Sequence, residues 1–188
     1  VFCAGGALNW MTAQITADRA TRIAEARKLA LMLNALNEMP KPLIGRIHGA
    51  AIGGGIGLAC VCDSVIADEA TRFGLTETRL GLIPATIGPY VIARMGEGKA
   101  RRVFMSARLF DAAEAMDLGI IAQRVSGAEL DEAVEAEVVP YLSVAPGAVA
   151  AAKAHARSLG ARIDEAVIED SIQRLADPGE GGEGARGG

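Results

Sequence analysis

The run Gly49-Ala50-Ala51-Ile52-Gly53-Gly54-Gly55-Ile56-Gly57-Leu58 constrains this chain more than any other stretch. It follows a strand-like apolar segment, Leu43-Ile44-Gly45-Arg46-Ile47, and leads into a short apolar segment that can be helical. Three successive glycines at such a junction let bare backbone approach a neighbour, because no Cβ intervenes. A helix start also directs free N–H groups and the positive end of the helix dipole outward, which suits an anion or a carbonyl oxygen about to become one. The bland alternative is a tight strand-to-helix turn without a ligand.

Two commoner glycine-rich loops are excluded. A dinucleotide fingerprint needs G-x-G-x-x-G opening a helix, and the sixth position is Leu58 counted from Gly53 and Cys60 counted from Gly55. A literal match at Gly179-Glu180-Gly181-Gly182-Glu183-Gly184 lies in a polar tail with no strand before it. A phosphate-binding P-loop needs Gly-Lys followed by Ser or Thr, and Gly98-Lys99 is followed by Ala100.

With 188 residues the chain reads as one domain, able to bury roughly 70% of the surface its unfolded form exposes. Hydrophobic residues make up 51% but aromatics only 4%, so the core is built of small side chains and needs closely packed elements. A net charge of −4 gives no basic footprint for nucleic acid. The longest uncharged runs, 48–62 and 138–152, are too short and too interrupted by Gly and Pro to span a bilayer. The first basic residue, Arg19, follows no signal-like apolar core, and the odd set Cys3, Cys60 and Cys62 suits a reducing compartment. A cytoplasmic location is therefore expected. Cys60-x-Cys62 with only His48 and His155 is a poor metal constellation, and both cysteines read as core thiols.

Along the chain, residues 1–8 read as a strand end entering a glycine turn. An amphipathic helix is predicted over Thr16–Met39, stopped by Pro40. Short strands are expected at 43–48, Ser64–Ala67, Arg72–Gly74 and Ile120–Val125; Glu77–Pro84 reads as a loop and Ala85–Met95 as a helix closed by Gly96. Asp111-x-x-Glu114 and Ser126-x-x-Glu129 have the form of capping boxes. From Glu129 to about Asp177 the chain reads as helical, with breaks near Pro146 and Gly160, and residues 178–188, with six glycines, are expected to be disordered. Alternating strands and helices followed by a run of helices indicate an α/β fold, with no obvious internal repeat.

The chemistry has two candidate sources. The glycine turns Phe2-Cys3-Ala4-Gly5-Gly6-Ala7-Leu8 and Ile52-Gly53-Gly54-Gly55 both follow strand-like runs. If neighbouring strands carry them, each can offer a backbone N–H to one point, forming an oxyanion hole. The proton-transfer candidate is Glu77, in Phe73-Gly74-Leu75-Thr76-Glu77-Thr78-Arg79-Leu80-Gly81-Leu82-Ile83-Pro84, where an apolar setting raises a carboxylate's pKa. The competing reading is a surface glutamate paired with Arg79, which residue pattern alone favours. Asp63 reads as a turn or capping residue. Ser64, Ser106 and Ser126 lack a nucleophile-elbow context, so serine hydrolysis is disfavoured.

Several segments, in order, resemble the enoyl-CoA hydratase/isomerase (crotonase) superfamily: Phe2-Cys3-Ala4-Gly5, Lys41-Pro42-Leu43-Ile44, Gly49 to Gly55, Cys62-Asp63, Phe73 to Glu77, Leu80-Gly81-Leu82-Ile83-Pro84, Asp111 to Ala115 and Leu118-Gly119-Ile120-Ile121. The resemblance runs from residue 1 to about 177. Leu8-Asn9-Trp10-Met11 and Ile83 to Val91 resemble the methylglutaconyl-CoA hydratase-like branch, whose pathway is leucine degradation. The resemblance implies a spiral of ββα units over 1–100, a helical trimer-building region over 101–177, and a glycine-rich tail over 178–188. It implies a homotrimer or a hexamer of two trimers.

It also implies an acyl-CoA thioester substrate, with coenzyme A present only as part of that substrate and no separate cofactor or metal. The thioester oxygen would sit between the N–H groups of Gly6 and Gly54, and Glu77 would move a proton at the acyl chain. Ala4, Gly6, Ala7 and Leu8 would line the coenzyme A side through their backbone. Three departures stand out. Two-carboxylate hydratases carry a second glutamate where this chain has Gly57. The family's Gly-Ala-Asp turn is here Gly5-Gly6-Ala7. Full members begin earlier by about two strand–helix units of roughly 30 residues each, and this chain starts at Val1, so an N-terminal truncation and an altered C-terminus are expected. Three readings result: an acyl-CoA hydratase or lyase, a single-glutamate enoyl-CoA isomerase, and a catalytically weak acyl-CoA-binding oligomer.

Overall fold

The computed structural model describes residues 1–6 and 16–177. Ala7, Leu8, the Asn9-Trp10-Met11 segment and the tail 178–188 lie outside the described residues.

Helix α1 (Arg19–Glu38) begins where Asp18 accepts a hydrogen bond from Thr21 N (2.7 Å) and ends before Pro40, which cannot continue it. Its residues Ala26, Ala30 and Leu33 are buried. The chain then winds through successive turns with one plan. Strand β1 (Ile44–Ile47) is followed by strand β2 (Ala50–Ile52) and helix α2 (Gly54–Val61); strand β3 (Ser64–Asp68) is followed by β4 (Arg72–Gly74), a 3₁₀ turn at Glu77–Leu80 and helix α3 (Gly88–Phe104). The first strands of the turns pair parallel, Ile44 beside Ser64 and Ile47 beside Ala67. The second strands do likewise, Ala50 beside Arg72 and Ile52 beside Gly74. The sequence shows no repeat because the repetition lies in the path of the backbone.

Strand β5 (Leu109–Phe110) pairs antiparallel with β4, helix α4 (Ala112–Leu118) follows, and β6 (Gln123–Val125) joins β3 in parallel. The two sheets run β1-β3-β6 and β2-β4-β5. Helices α5 (Leu130–Val138), α6 (Pro146–Leu159) and α7 (Glu165–Ala176) complete the described chain. Among the described residues no helix is long and apolar enough to cross a membrane.

Most predicted elements are present, with instructive shifts. Residues 43–48 and the glycine junction hide a second strand, β2, separated from β1 by Gly49 at φ +75°. Helix α3 starts at Gly88 rather than Ala85 and continues beyond Gly96, which breaks the helical path at φ 75° and ψ 158°. The Asp111 cap forms, accepting from Glu114 N at 2.9 Å, while the Glu114 carboxylate turns to Arg108 at 2.8 Å. Glu129 reaches back to Ser126 as a capping box requires, although α5 itself begins only at Leu130.

The core between sheets and helices is small-residue packing around a few large side chains: Ile47, Ala51, Ile56, Phe73, Leu75 and Val91 are fully buried. Phe73 stacks on Phe110 with centroids 5.9 Å apart. Helix α7 lies on α1 through Ile172 against Ala26 and Ala30, flanked by ion pairs Arg19–Asp177 and Arg27–Glu169. At the C-terminal end of α2, Asp63 accepts hydrogen bonds from Leu43 N and from Lys153 Nζ, both at 2.7 Å, tying β1 to α6.

Asp63 thus holds a turn, as its sequence context indicated, and also a buried cation: the Lys153 side chain is only 11% exposed. Asp63→Ala leaves the Leu43 N–H without an acceptor and the ammonium with only the Lys41 carbonyl, 3.1 Å away, and we expect a loss of about 1–3 kcal/mol in urea unfolding. A loss below about 0.5 kcal/mol, the range of an ordinary surface change, would show that the clamp is not structural.

Candidate active site

The glycine junction becomes the end of β2 and the start of α2. Gly53 N donates to Gly74 O at 2.8 Å, which ties the end of β2 to the end of β4. Gly53 then turns with φ +54° and ψ −115°, a conformation closed to residues with a Cβ. Space is tight there as well, because a Cβ on Gly53 would stand 3.0 Å from Glu77 Oε1 and press on the carboxyl. The carboxyl group of Glu77 therefore lies directly against the junction. Gly54 follows as the first residue of α2, where no carbonyl one turn back can take its N–H. A Cβ on Gly54 would meet nothing within 4 Å, so the space on that side is open.

The first glycine turn comes to the same place. Cys3 forms a parallel bridge with Ala51; Cys3 N donates to Ala50 O and Ile52 N donates to Cys3 O, both at 2.9 Å. Ala4, Gly5 and Gly6 continue from that bridge, with Gly5 at φ +99° and the position of its absent Cβ 3.8 Å from Ile52 Cγ2. Strands carrying the two glycine turns are thus neighbours, the condition on which a shared pair of N–H donors depended. Gly55 allows this contact: a Cβ on it would lie 2.8 Å from Cys3 Cβ.

Glu77 opens the 3₁₀ turn Glu77–Leu80, and no ion pair joins it to Arg79 among the described residues. Its Oε2 is buried without a hydrogen-bond partner. Burial pushes its pKa above the ordinary carboxylate range, opposed only by a hydrogen bond from its own backbone N–H. Such an environment costs the fold stability when the carboxylate is charged.

Sequence reasoning missed Ile87. A Cβ on Gly57 would come within 2.4 Å of Ile87 Cγ2, so the space beside Gly57 is filled by a side chain thirty positions along the chain. Only the Gly/Pro-punctuated stretch before α3 hinted that this connector turns inward. At the other end of α2 a groove of about 900 Å³ is lined by residues including Cys60, Tyr90, Arg94 and Lys153. Its cations are engaged structurally: Arg94 donates to the carbonyls of Cys60 and Cys62, and Lys153 to Asp63. Burial pushes the Cys60 thiol up to about 12 and the Cys62 thiol to about 11, which leaves both unreactive as core thiols. Among the described residues no cluster of His, Cys, Asp and Glu could hold a metal ion.

The enoyl-CoA hydratase/isomerase family model matches residues 1–177. The chain belongs to the enoyl-CoA hydratase/isomerase family. It is 36% identical over 141 residues to the "Probable enoyl-CoA hydratase EchA17" of Mycobacterium tuberculosis, which covers 74% of this chain and 53% of that protein. An enoyl-CoA hydratase structure from Shewanella pealeana superposes with a TM-score of 0.82 at 40% identity, covering 93% of this chain and 66% of that one. AtuE of Pseudomonas aeruginosa gives 0.79 at 35% identity, covering 94% and 69%. The chain spans about half the length of the curated relatives it matches. Mixed parallel strands and helices agree with the crotonase-like spiral expected from the resemblance.

The Glu77 environment makes a prediction about stability. With its pKa raised in the folded state, the native chain holds a proton that the unfolded chain has released over the window just above the ordinary carboxylate range. Stability therefore falls as pH rises through that window, and below it the folded and unfolded states hold the proton alike. Glu77→Gln removes the penalty, so it should raise the melting temperature at pH 8 and change it little at pH 4. Equal changes at both pH values in calorimetry would contradict the assignment.

Proposed function

We propose that this chain is the catalytic part of an acyl-CoA hydratase or lyase that adds water to, or removes it from, the double bond of an enoyl-CoA thioester. The observation carrying this reading is the half-buried Glu77 carboxyl, its Oε2 without a partner, set against a helix start whose first N–H is free to face a ligand. In the hydration direction the thioester oxygen takes negative charge as the water oxygen bonds to the β-carbon. Two backbone N–H groups, of Gly6 and Gly54, hold that charge; each such donor is worth about 3 kcal/mol in a site closed to water. Glu77 in its acid form gives its proton to the α-carbon and recovers one from the added water, so the enzyme ends as it began. Burial raises its proton affinity above that of an ordinary carboxylate, which favours the acid form this step uses.

Ala4 and Gly6, with Ala7 and Leu8 beyond them, would meet the coenzyme A portion through their backbone, and no other cofactor is called for. The methylglutaconyl-type branch and leucine degradation supply a first substrate class to try. Assembly as a homotrimer or a pair of trimers through residues 101–177, around a spiral core over 1–100, belongs to the same reading, as does a cytoplasmic location.

A second reading has a specific observation behind it. Gly57 provides no second carboxylate, and Ile87 occupies the space beside it. A single carboxylate suffices for isomerisation, in which Glu77 takes a proton from one carbon and returns it to another through the same enolate. A chain that binds acyl-CoA and turns it over slowly would share the geometry.

The purified chain is expected to hydrate a crotonyl-type or methylglutaconyl-type thioester. Glu77→Gln should lower kcat by about 10²–10⁴, the contribution of a placed acid/base group. Product analysis in deuterated water separates the readings, since net addition of water excludes pure isomerisation. Absence of turnover on every enoyl-CoA by a folded sample, with acetyl-CoA binding seen in calorimetry, would leave only the binding reading.

A further inference from the structure

Glu77 and Ile87 stand at the two ends of one connector, the stretch that leaves β4 and enters α3. Both ends meet the start of α2. Gly53, the cap of α2, and Gly57 are joined by a Gly57 N to Gly53 O hydrogen bond at 3.4 Å, which brings the two positions within one helical turn of each other. A side chain at 53 would run into Glu77 Oε1 at 3.0 Å; one at 57 would run into Ile87 Cγ2 at 2.4 Å and Cβ at 2.8 Å. Ile87 is only 3% exposed. Its carbonyl accepts from Tyr90 N and Val91 N, both at 3.1 Å, so it cannot swing aside without opening the first turn of α3.

We propose that Ile87 is a positioning residue of the candidate site: seated in the space left by Gly57, it fills with hydrocarbon the ground one turn along α2 from Glu77, keeps water and any second polar group out of it, and leaves Glu77 as the one group there that can hold a proton. The surroundings of Glu77 agree. Burial alone raises its proton affinity, no charged neighbour on any packed element contributes, and Oε2 finds no partner. Hydrocarbon beside a carboxyl disfavours the charged form, whereas a water or a hydroxyl in the same place would favour it. The pair Gly57–Ile87 thus acts on the chemistry through Glu77, without touching a substrate. The proposal rests on the reading of Glu77 as the proton-moving group.

Titration of the side-chain carboxyl carbons in a ¹³C-glutamate-labelled chain tests this without turnover, with the Glu77 signal assigned by its loss in Glu77→Gln. Ile87→Ala is expected to bring the Glu77 midpoint down by about one unit, a tenfold loss of proton affinity. Ile87→Val should keep it near the wild-type position. Ile87→Thr, which has the shape of the valine variant but carries a hydroxyl, should bring it down too, and serves if the alanine variant fails to fold. In hydration, which uses the acid form of Glu77, the alkaline limb of the kcat/KM profile should move the same way. A Glu77 midpoint unchanged in a folded Ile87→Ala or Ile87→Thr chain overturns the proposal, even if the melting temperature falls. A midpoint that moves in a chain without turnover upholds the proposal and counts against the enzyme reading alone.

Discussion

The architecture depends on one backbone position that no side chain can share. At Gly53 the chain leaves β2 and enters α2 with a left-handed φ, while the space where a Cβ would sit belongs to the Glu77 carboxyl. The same residue donates to Gly74 O, so the end of β2, the start of α2 and the end of β4 are joined at one point. Gly55, two residues later, lets α2 rest on Cys3. Three segments distant in sequence thereby converge because the side chains that would separate them are missing.

Convergence has an energetic counterpart. Packing the junction this tightly takes Glu77 out of water and gives its Oε2 no partner. A core optimised for stability would place an apolar residue there, since an unpaired buried polar group costs about 1–3 kcal/mol. Neighbouring apolar packing offsets it: Leu75 and Phe73 are fully buried just before Glu77, and Ile87 just after the connector. Apolar residues buried before and after it along the chain anchor this stretch, and burial raises the proton affinity of Glu77.

Much of this was legible in the residues, where the signal is local. The period of Ile23, Ala26, Leu33 and Leu36 with Asp18 before and Pro40 after marks α1, and the Asp111 cap marks α4. The glycine junction and Glu77 could be singled out because their composition is unusual for their surroundings. Features that depend on distant partners stayed hidden. Strand β2 has three residues and is a strand only because Cys3 and Arg72–Gly74 lie on either side. Pairing of Glu77 with Arg79 looked the simpler outcome two positions apart, but the 3₁₀ turn sends the carboxyl to Gly53 instead. The Asp63–Lys153 clamp joins residues on opposite sides of the chain's midpoint. Likewise, Gly57 looks like a simple loss until Ile87 is seen in the vacated volume.

The order of strand pairing also bears on how the molecule comes together in time. Ile44 meets Ser64 and Ala50 meets Arg72, each pair one ββα turn apart in the chain, whereas Cys3 must reach Ala51 from the far side of α1. Closing long loops is entropically slower than closing short ones, so the β1–β4 spiral with α2 is the natural early nucleus. The Cys3 strand then docks onto a surface already formed, carrying the Gly5–Gly6 turn with it. Half of the candidate site thus rests on a long-range pairing, so the chain is expected to be compact before its two glycine turns meet.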